Sequence, residues 1–194
     1  MSQMENAAVG QGKKVLFLDI DGVLQPYNNQ FRFDHDMAQT CRDLAEKYGD
    51  PVYPTMDKYD VCAVVYDWDA KAVQRLKDVL DKTGARIVVS SDWRRWNGTD
   101  WMRALLRLHG LDPYFDECLP KEGEKEQVIP AYLHEHMGEL AGWVVVDDWN
   151  MERYFGDHFV LTRDRLQSDD CAAIERALAL PPAWTNPVEE ASGE

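Results

Sequence analysis

The nine residues LFLDIDGVL, Leu16 to Leu24, carry an apolar strand into two carboxylates, Asp19 and Asp21, one residue apart and followed by Gly22. The two acids reach the same side where the strand frays into a turn that glycine permits. Like charges crowded there repel, and a divalent cation relieves the repulsion. A bare D-x-D-G also fits a strand that ends in a solvated acidic turn, so the order of motifs along the chain decides between the two. Two more apolar runs end in polar chemistry: IVVSSDWR at Ser90, with Ser91, Asp92 and Arg94 behind it, and VVVDDWN at Asp147 and Asp148. A lysine, Lys121 or Lys125, lies between them. In a parallel sheet these strand ends sit side by side, so carboxylates, a hydroxyl and an ammonium converge on one point, an arrangement suited to phosphoryl transfer.

The elements that must position these groups alternate strand and helix. Residues 14–19 read as a strand, 69–83 as a helix with Val73, Leu76, Val79 and Leu80 on one face and Gly84 as its stop, and 86–90 as a β-branched strand. A helix over about 99–109 ends at Gly110, a weak strand covers 114–118, and another helix lies around 126–137. Pro130 is tolerated only in a first turn, which moves that helix start to near Val128 and leaves Lys125 in the preceding loop. Residues 143–147 form the clearest buried strand and 158–161 a weaker one; Ser168 caps a last helix with Asp169 and Asp170 in its first turn. Apolar strands linked by helices predict an α/β, three-layer Rossmann-like fold with a mainly parallel central sheet. Residues 25–66 are too long for a simple connection and read as a small cap-like insertion after the first strand, placed to bind substrate or act as a lid.

The chain has 194 residues, 45% of them hydrophobic, which suits one domain over about 13–179. Residues 1–12 read as a flexible leader and 180–194 as an acidic flexible tail. No apolar run approaches the ~20 residues that span a bilayer, and the N-terminal residues lack a basic start with an apolar stretch, so a cytoplasmic location without membrane attachment is expected. Cys41, Cys62, Cys118 and Cys171 are widely spaced and read as reduced core residues rather than a zinc or disulfide framework. A net charge of −14 repels polyanions on average. The local exception is the stretch 86–107, where Arg86, Arg94, Arg95, Arg103 and Arg107 face Asp92 and Asp100, a balance of 5 − 2 = +3 that reads either as a solvated helix face or as a nucleic-acid patch. His134 and His136 flank Glu135, but i, i+2 residues leave a helix on different sides and read as surface groups.

Taken in order, the D-x-D-G-V, the Ser closing the second strand, the later lysine and the acidic pair resemble the haloacid dehalogenase superfamily of hydrolases over about residues 14–161. The S-S-D-W-R at 90–94 with D-D-W at 147–149 is similar to the subgroup that includes the phosphatase-like domain of Swiss Army Knife RNA repair proteins. The resemblance implies Asp19 as a nucleophile that becomes an aspartyl phosphate and Asp21 as general acid and base, a residue that phosphatases and phosphomutases of the superfamily share. It also implies Mg2+ on Asp19, the backbone carbonyl of Asp21 and Asp148, with Asp147 beside them or in Asp148's place. Ser90, with the backbone of Ser91 and Asp92, would bind phosphate oxygens near Gly22 and Arg94, and Lys125, preferred to Lys121, would neutralise nucleophile and phosphate.

The implied activity is Mg2+-dependent hydrolysis of a phosphomonoester, on a phosphorylated small molecule such as a nucleotide or on a nucleic-acid end, with no obligate protein partner. Trp68, Trp93, Trp96, Trp101 and Trp149 lie close in sequence to the strand ends; they pack the rim of the sheet or stack a base. The competing classes are a small-metabolite phosphatase and a non-catalytic or regulatory binding protein on the same scaffold.

Overall fold

The computed structural model describes residues 12–185; most of the expected leader and the end of the expected acidic tail lie outside the described residues. Five strands, β1 (Lys13–Leu18), β2 (Arg86–Val89), β3 (Phe115–Cys118), β4 (Leu140–Asp147) and β5 (Phe159–Leu161), form one sheet in the order β3-β2-β1-β4-β5, every pair parallel. The chain winds outward from β1 through β2 and β3, then crosses back to lay β4 on the other side of β1. That reversal opens a crevice at the carboxyl ends of β1 and β4, where open α/β sheets bind ligands.

Among the described residues, eight helices connect and cover the strands: α1 (Met37–Tyr48), α2 (Lys58–Cys62), α3 (Ala70–Thr83), α4 (Trp93–Trp96), α5 (Thr99–Arg107), α6 (Lys125–His136), α7 (Glu152–Phe155) and α8 (Ser168–Ala177). Strand periodicity divides their burial between two layers. Leu16, Leu18, Ile87, Val89, Val144 and Val146 pack with apolar residues of α3, α5 and α8, whereas Val15, Phe17, Val88, Trp143 and Val145 pack with α6 and α7. The sheet is therefore covered on both faces, as its continuous apolar strands require.

α6 starts three residues before the point expected from Pro130. Glu124 and Gln127 close a capping box, so Lys125 is the first helical residue rather than part of a loop. An interior proline costs a helix ~3 kcal/mol. Burying Val128, Ile129, Tyr132 and Leu133 returns roughly 1.5–3 kcal/mol each, so packing prevails over the backbone penalty. α8 differs as well: Gln167 caps it, because the Asp170 carboxylate accepts the Gln167 N–H at 2.7 Å and draws Ser168 into the first turn.

The insertion is built from α1, α2 and a π-turn at Ala63–Asp67. Its buried residues Cys41, Leu44, Tyr53, Val61 and Val64 are continuous with the main core rather than a core of their own. After α8 the chain packs back on the other layer: Trp143 Nε1 donates to Pro182 O at 2.8 Å and Trp184 Nε1 to Tyr154 O at 2.9 Å. All four cysteines are free thiols. No helix among the described residues is long and apolar enough to cross a membrane.

Candidate active site

Register brings the site together. Leu18 is aligned with Val89 on one side and Val146 on the other, so the next residues along the three strands are Asp19, Ser90 and Asp147. The ladder continues into them through Asp19 N–H to Val146 O and Ser90 N–H to Leu18 O, both 3.0 Å. Alternation turns these three side chains toward the layer that α6 covers, and α6 presents Lys125 there. Lys125 Nζ lies 3.1 Å from Asp19 Oδ1 and 2.6 Å from Asp147 Oδ2. Lys121 is exposed.

Asp19 is 3% exposed. Burial and the charge of Asp147 push its carboxyl up, while Lys125 and the Ser91 hydroxyl pull it back. Burial likewise pushes Asp147 up against the pull of Lys125. For Lys125, burial favours the neutral amine, but the two carboxylates outweigh it and hold the ammonium charged. Both oxygens of Asp147 are taken by protein donors, Lys125 on one and the Trp149 N–H at 2.9 Å on the other.

Oxygens of Asp19, Asp147 and Asp148 come within 4.8 Å of one another. Three carboxylates with a single ammonium leave an excess of negative charge on hard oxygen donors, a set that fits Mg2+. Gly22 makes the close packing possible: its φ is +69°, and a Cβ there would stand 2.6 Å from the Cβ of Asp148. Its carbonyl is fixed by the Thr162 hydroxyl at 2.9 Å.

Asp21 stands apart from the trio at the solvent side. Trp93 Nε1 donates to its Oδ2 at 2.9 Å. Partial burial raises its carboxyl above the ordinary range, and the indole bond and Lys125 offset only part of the shift. A carboxyl group held outside the cation cluster with a raised affinity for protons suits proton transfer.

Other expected site residues have different surroundings. The Ser90 hydroxyl is buried without a partner, while Ser91 is the serine whose side chain helps to lower the Asp19 carboxyl. The Ser91 N–H, expected to face phosphate, donates to Leu18 O at 3.2 Å. Asp92 carries Arg94 and Arg95 on one oxygen. Arg94, expected at the substrate, is wholly buried and points inward. Its guanidinium donates to Ser90 O (2.6 Å), Ser91 O (3.2 Å), Pro120 O (2.9 Å) and Gly123 O (2.8 Å), tying the end of β2 to the loop before Lys125.

The remaining arginines of 86–107 are also engaged. Arg86 pairs with Asp116, Arg95 with Asp92 and Glu124, and Arg107 with Asp50, while Arg103 donates to the carbonyls of Phe115 and Asp116. They brace the fold, so the stretch offers no unpaired basic strip.

Sequence reasoning missed five contributors, Tyr27, Arg32, Tyr59, Asp60 and Asp67. The Tyr27 hydroxyl donates to Asp148 Oδ2 at 2.5 Å, a bond that pushes the phenol up to about 12, and its N–H donates to Asp164 Oδ1 at 3.1 Å. Asp67, fully buried in the π-turn, accepts the Arg32 N–H at 3.0 Å and pairs with its guanidinium at 2.9 Å, which fixes Arg32 near Asp21. Tyr59 and Asp60 of α2 stand beside them. Nothing in the local sequence marked these residues, because each contact spans tens of positions.

Over residues 15–170 the chain matches the family described as the HAD domain in Swiss Army Knife RNA repair proteins, and it belongs to that family. Comparison with curated proteins gave no match, and neither did comparison with solved structures.

Proposed function

We propose that this member of the family is a Mg2+-dependent phosphomonoesterase that works through phosphorylated Asp19 on a nucleotide or nucleic-acid end. The observation that carries the reading is the division of labour among the carboxylates: Asp19 is buried against Lys125 with Asp147 and Asp148 beside it, while Asp21 is held outside by Trp93. The family supports hydrolase chemistry, and its RNA-repair description supports the substrate class.

Asp19 and Asp148 would hold the metal with the Asp21 carbonyl, and Asp147 would orient Lys125 beside them. When bound there, Mg2+ would neutralise charge on the phosphate and polarise it. A carboxylate oxygen of Asp19 bonds to phosphorus as the ester P–O bond breaks, and Asp21 gives its proton to the departing oxygen. Water then attacks the aspartyl phosphate, losing its proton to Asp21; inorganic phosphate leaves and Asp19 is restored. Lys125 neutralises charge through both steps.

Phosphomonoester hydrolysis calls for acceleration of up to ~10²¹, and general acid catalysis supplies only about 10²–10⁴. The lysine, the metal charge and the serine donors must therefore contribute together. The test is hydrolysis of an aryl phosphate with Mg2+ and with excess chelator. Turnover should require the metal, and Asp19→Asn should abolish it with the circular dichroism spectrum and Tm retained. Residual activity above a few per cent in that variant rules out Asp19 as the nucleophile.

A further inference from the structure

On the outer side of Asp21 lies a recess of about 260 Å³ walled by Asp21, Arg32, Tyr59, Asp60, Trp93 and Trp96. Larger depressions, about 620 and 500 Å³, run along Trp149–Tyr154 and between α7 and residues 180–185; neither contains a motif carboxylate. The group that Asp21 protonates must depart on Asp21's side, so the recess is where a leaving group sits. We propose that this leaving group is a nucleoside whose base stacks on Trp96 and Tyr59. The inference rests on the phosphatase reading and specifies what that site accepts.

Five observations select a base. α4 is a single turn, WRRW, that directs Trp93 inward to bond Asp21 and leaves Trp96 73% exposed. An indole so exposed adds little to the core and offers its face to a ring. Tyr59, 46% exposed, supplies a second aromatic surface from the insertion.

The rim is polar. Asp60 is held by the Asn97 amide at 3.0 Å through Oδ2, which presents the carboxylate as an acceptor for a ring or exocyclic N–H. An alkyl leaving group would satisfy neither feature. The recess falls just below the ~300 Å³ at which small-molecule pockets begin, so it takes one ring system. Finally, Asp21, Asp60 and Asp92 line it, and its arginine, Arg32, is already paired with Asp67. A further phosphate inside the recess would be repelled, so the part of the leaving group seated there is an uncharged nucleoside and any further phosphate of a chain lies outside the recess.

The experiment compares kcat/KM for adenosine monophosphate and for a 5′-phosphorylated triadenylate, each relative to acetyl phosphate, which has no ring. Base–aromatic stacking of about 1–3 kcal/mol corresponds to about 5-fold to 150-fold. Trp96→Ala should lower the nucleotide-to-acetyl-phosphate ratio by that factor, chiefly through KM, and Trp96→Phe should restore most of it. Trp96 is exposed enough for both variants to fold. A fall with either nucleotide supports the proposal, and the substrate that shows it tells a free nucleotide from a chain end. An unchanged ratio with both overturns the proposal and leaves the phosphatase reading standing. Wild-type protein inert toward all three substrates overturns both.

Discussion

Replacing Arg94 with methionine should destabilise the protein by about 3–5 kcal/mol, a magnitude that follows from the four main-chain carbonyls its guanidinium satisfies at full burial. Each buried acceptor left without a partner costs about 1–3 kcal/mol, which sets a ceiling of roughly 4–12 kcal/mol for all four. Water entering beside the exposed Asp92 side chain can satisfy some of them, so a loss near or just below the bottom of that range is expected. Against a global stability of about 5–15 kcal/mol, the variant still folds. At about 2–4 °C per kcal/mol for a chain of this size, Tm should fall by about 6–20 °C.

The same change should reduce turnover. Arg94 ties the loop that carries Ser91 to the loop that ends at Lys125, and a misplacement of ~1 Å at a reacting centre can cost 10²-fold. We expect kcat to fall by about 10-fold to 100-fold, with KM changed little. A residue that bound substrate would give the opposite result, a raised KM at unchanged stability. Thermal unfolding by differential scanning calorimetry, together with steady-state kinetics on an aryl phosphate, separates the two. A Tm within about 2 °C of wild type with kcat retained would refute the bracing argument.

Tyr27→Phe removes the hydroxyl that orients Asp148 and should weaken Mg2+ binding by about 10-fold to 100-fold; calorimetric titration with the metal alone reads this directly, and unchanged affinity refutes the role. Gly22→Ala forces a Cβ against the Asp148 side chain in a backbone conformation that favours glycine. It should lower both Tm and metal affinity, and wild-type values for both would show that the close approach is not needed. His109 donates Nε2–H to Val64 O at 2.7 Å and stacks on Trp68; burial lowers its affinity for a proton below the ordinary 6.5. The folded state thus favours neutral imidazole, and the stability it contributes is complete above that ordinary value and is lost as pH falls through the depressed one. Urea midpoints at about pH 7.5 and about pH 5 should drop more for wild type than for His109→Gln, and equal drops would exclude His109 as the source.

The fold was readable because its signals are local. Continuous β-branched runs bounded by helices at 3.6-residue periodicity identify a parallel sheet covered on both faces, whatever lies far along the chain. Boundaries failed where a distant partner outweighed local preference. α6 begins at Lys125 because the four side chains it buries against β1 and β4 outweigh Pro130, and no window of sequence contains that balance.

What the sequence alone determined is the chemistry available at the strand ends: acids after β1 and β4, serines after β2, a lysine before VIPAYL. Strand endings are set by residue type over a few positions, and parallel pairing then aligns them. What the tertiary structure decided is direction. Arg94 faces inward, the Ser91 side chain rather than that of Ser90 helps to lower the Asp19 carboxyl, Trp93 reaches Asp21 across 72 positions, and Tyr27 reaches Asp148 across 121. A side chain's direction depends on which neighbours leave space and which leave a donor or acceptor unpaired, and those neighbours meet only once the sheet and its two layers have packed.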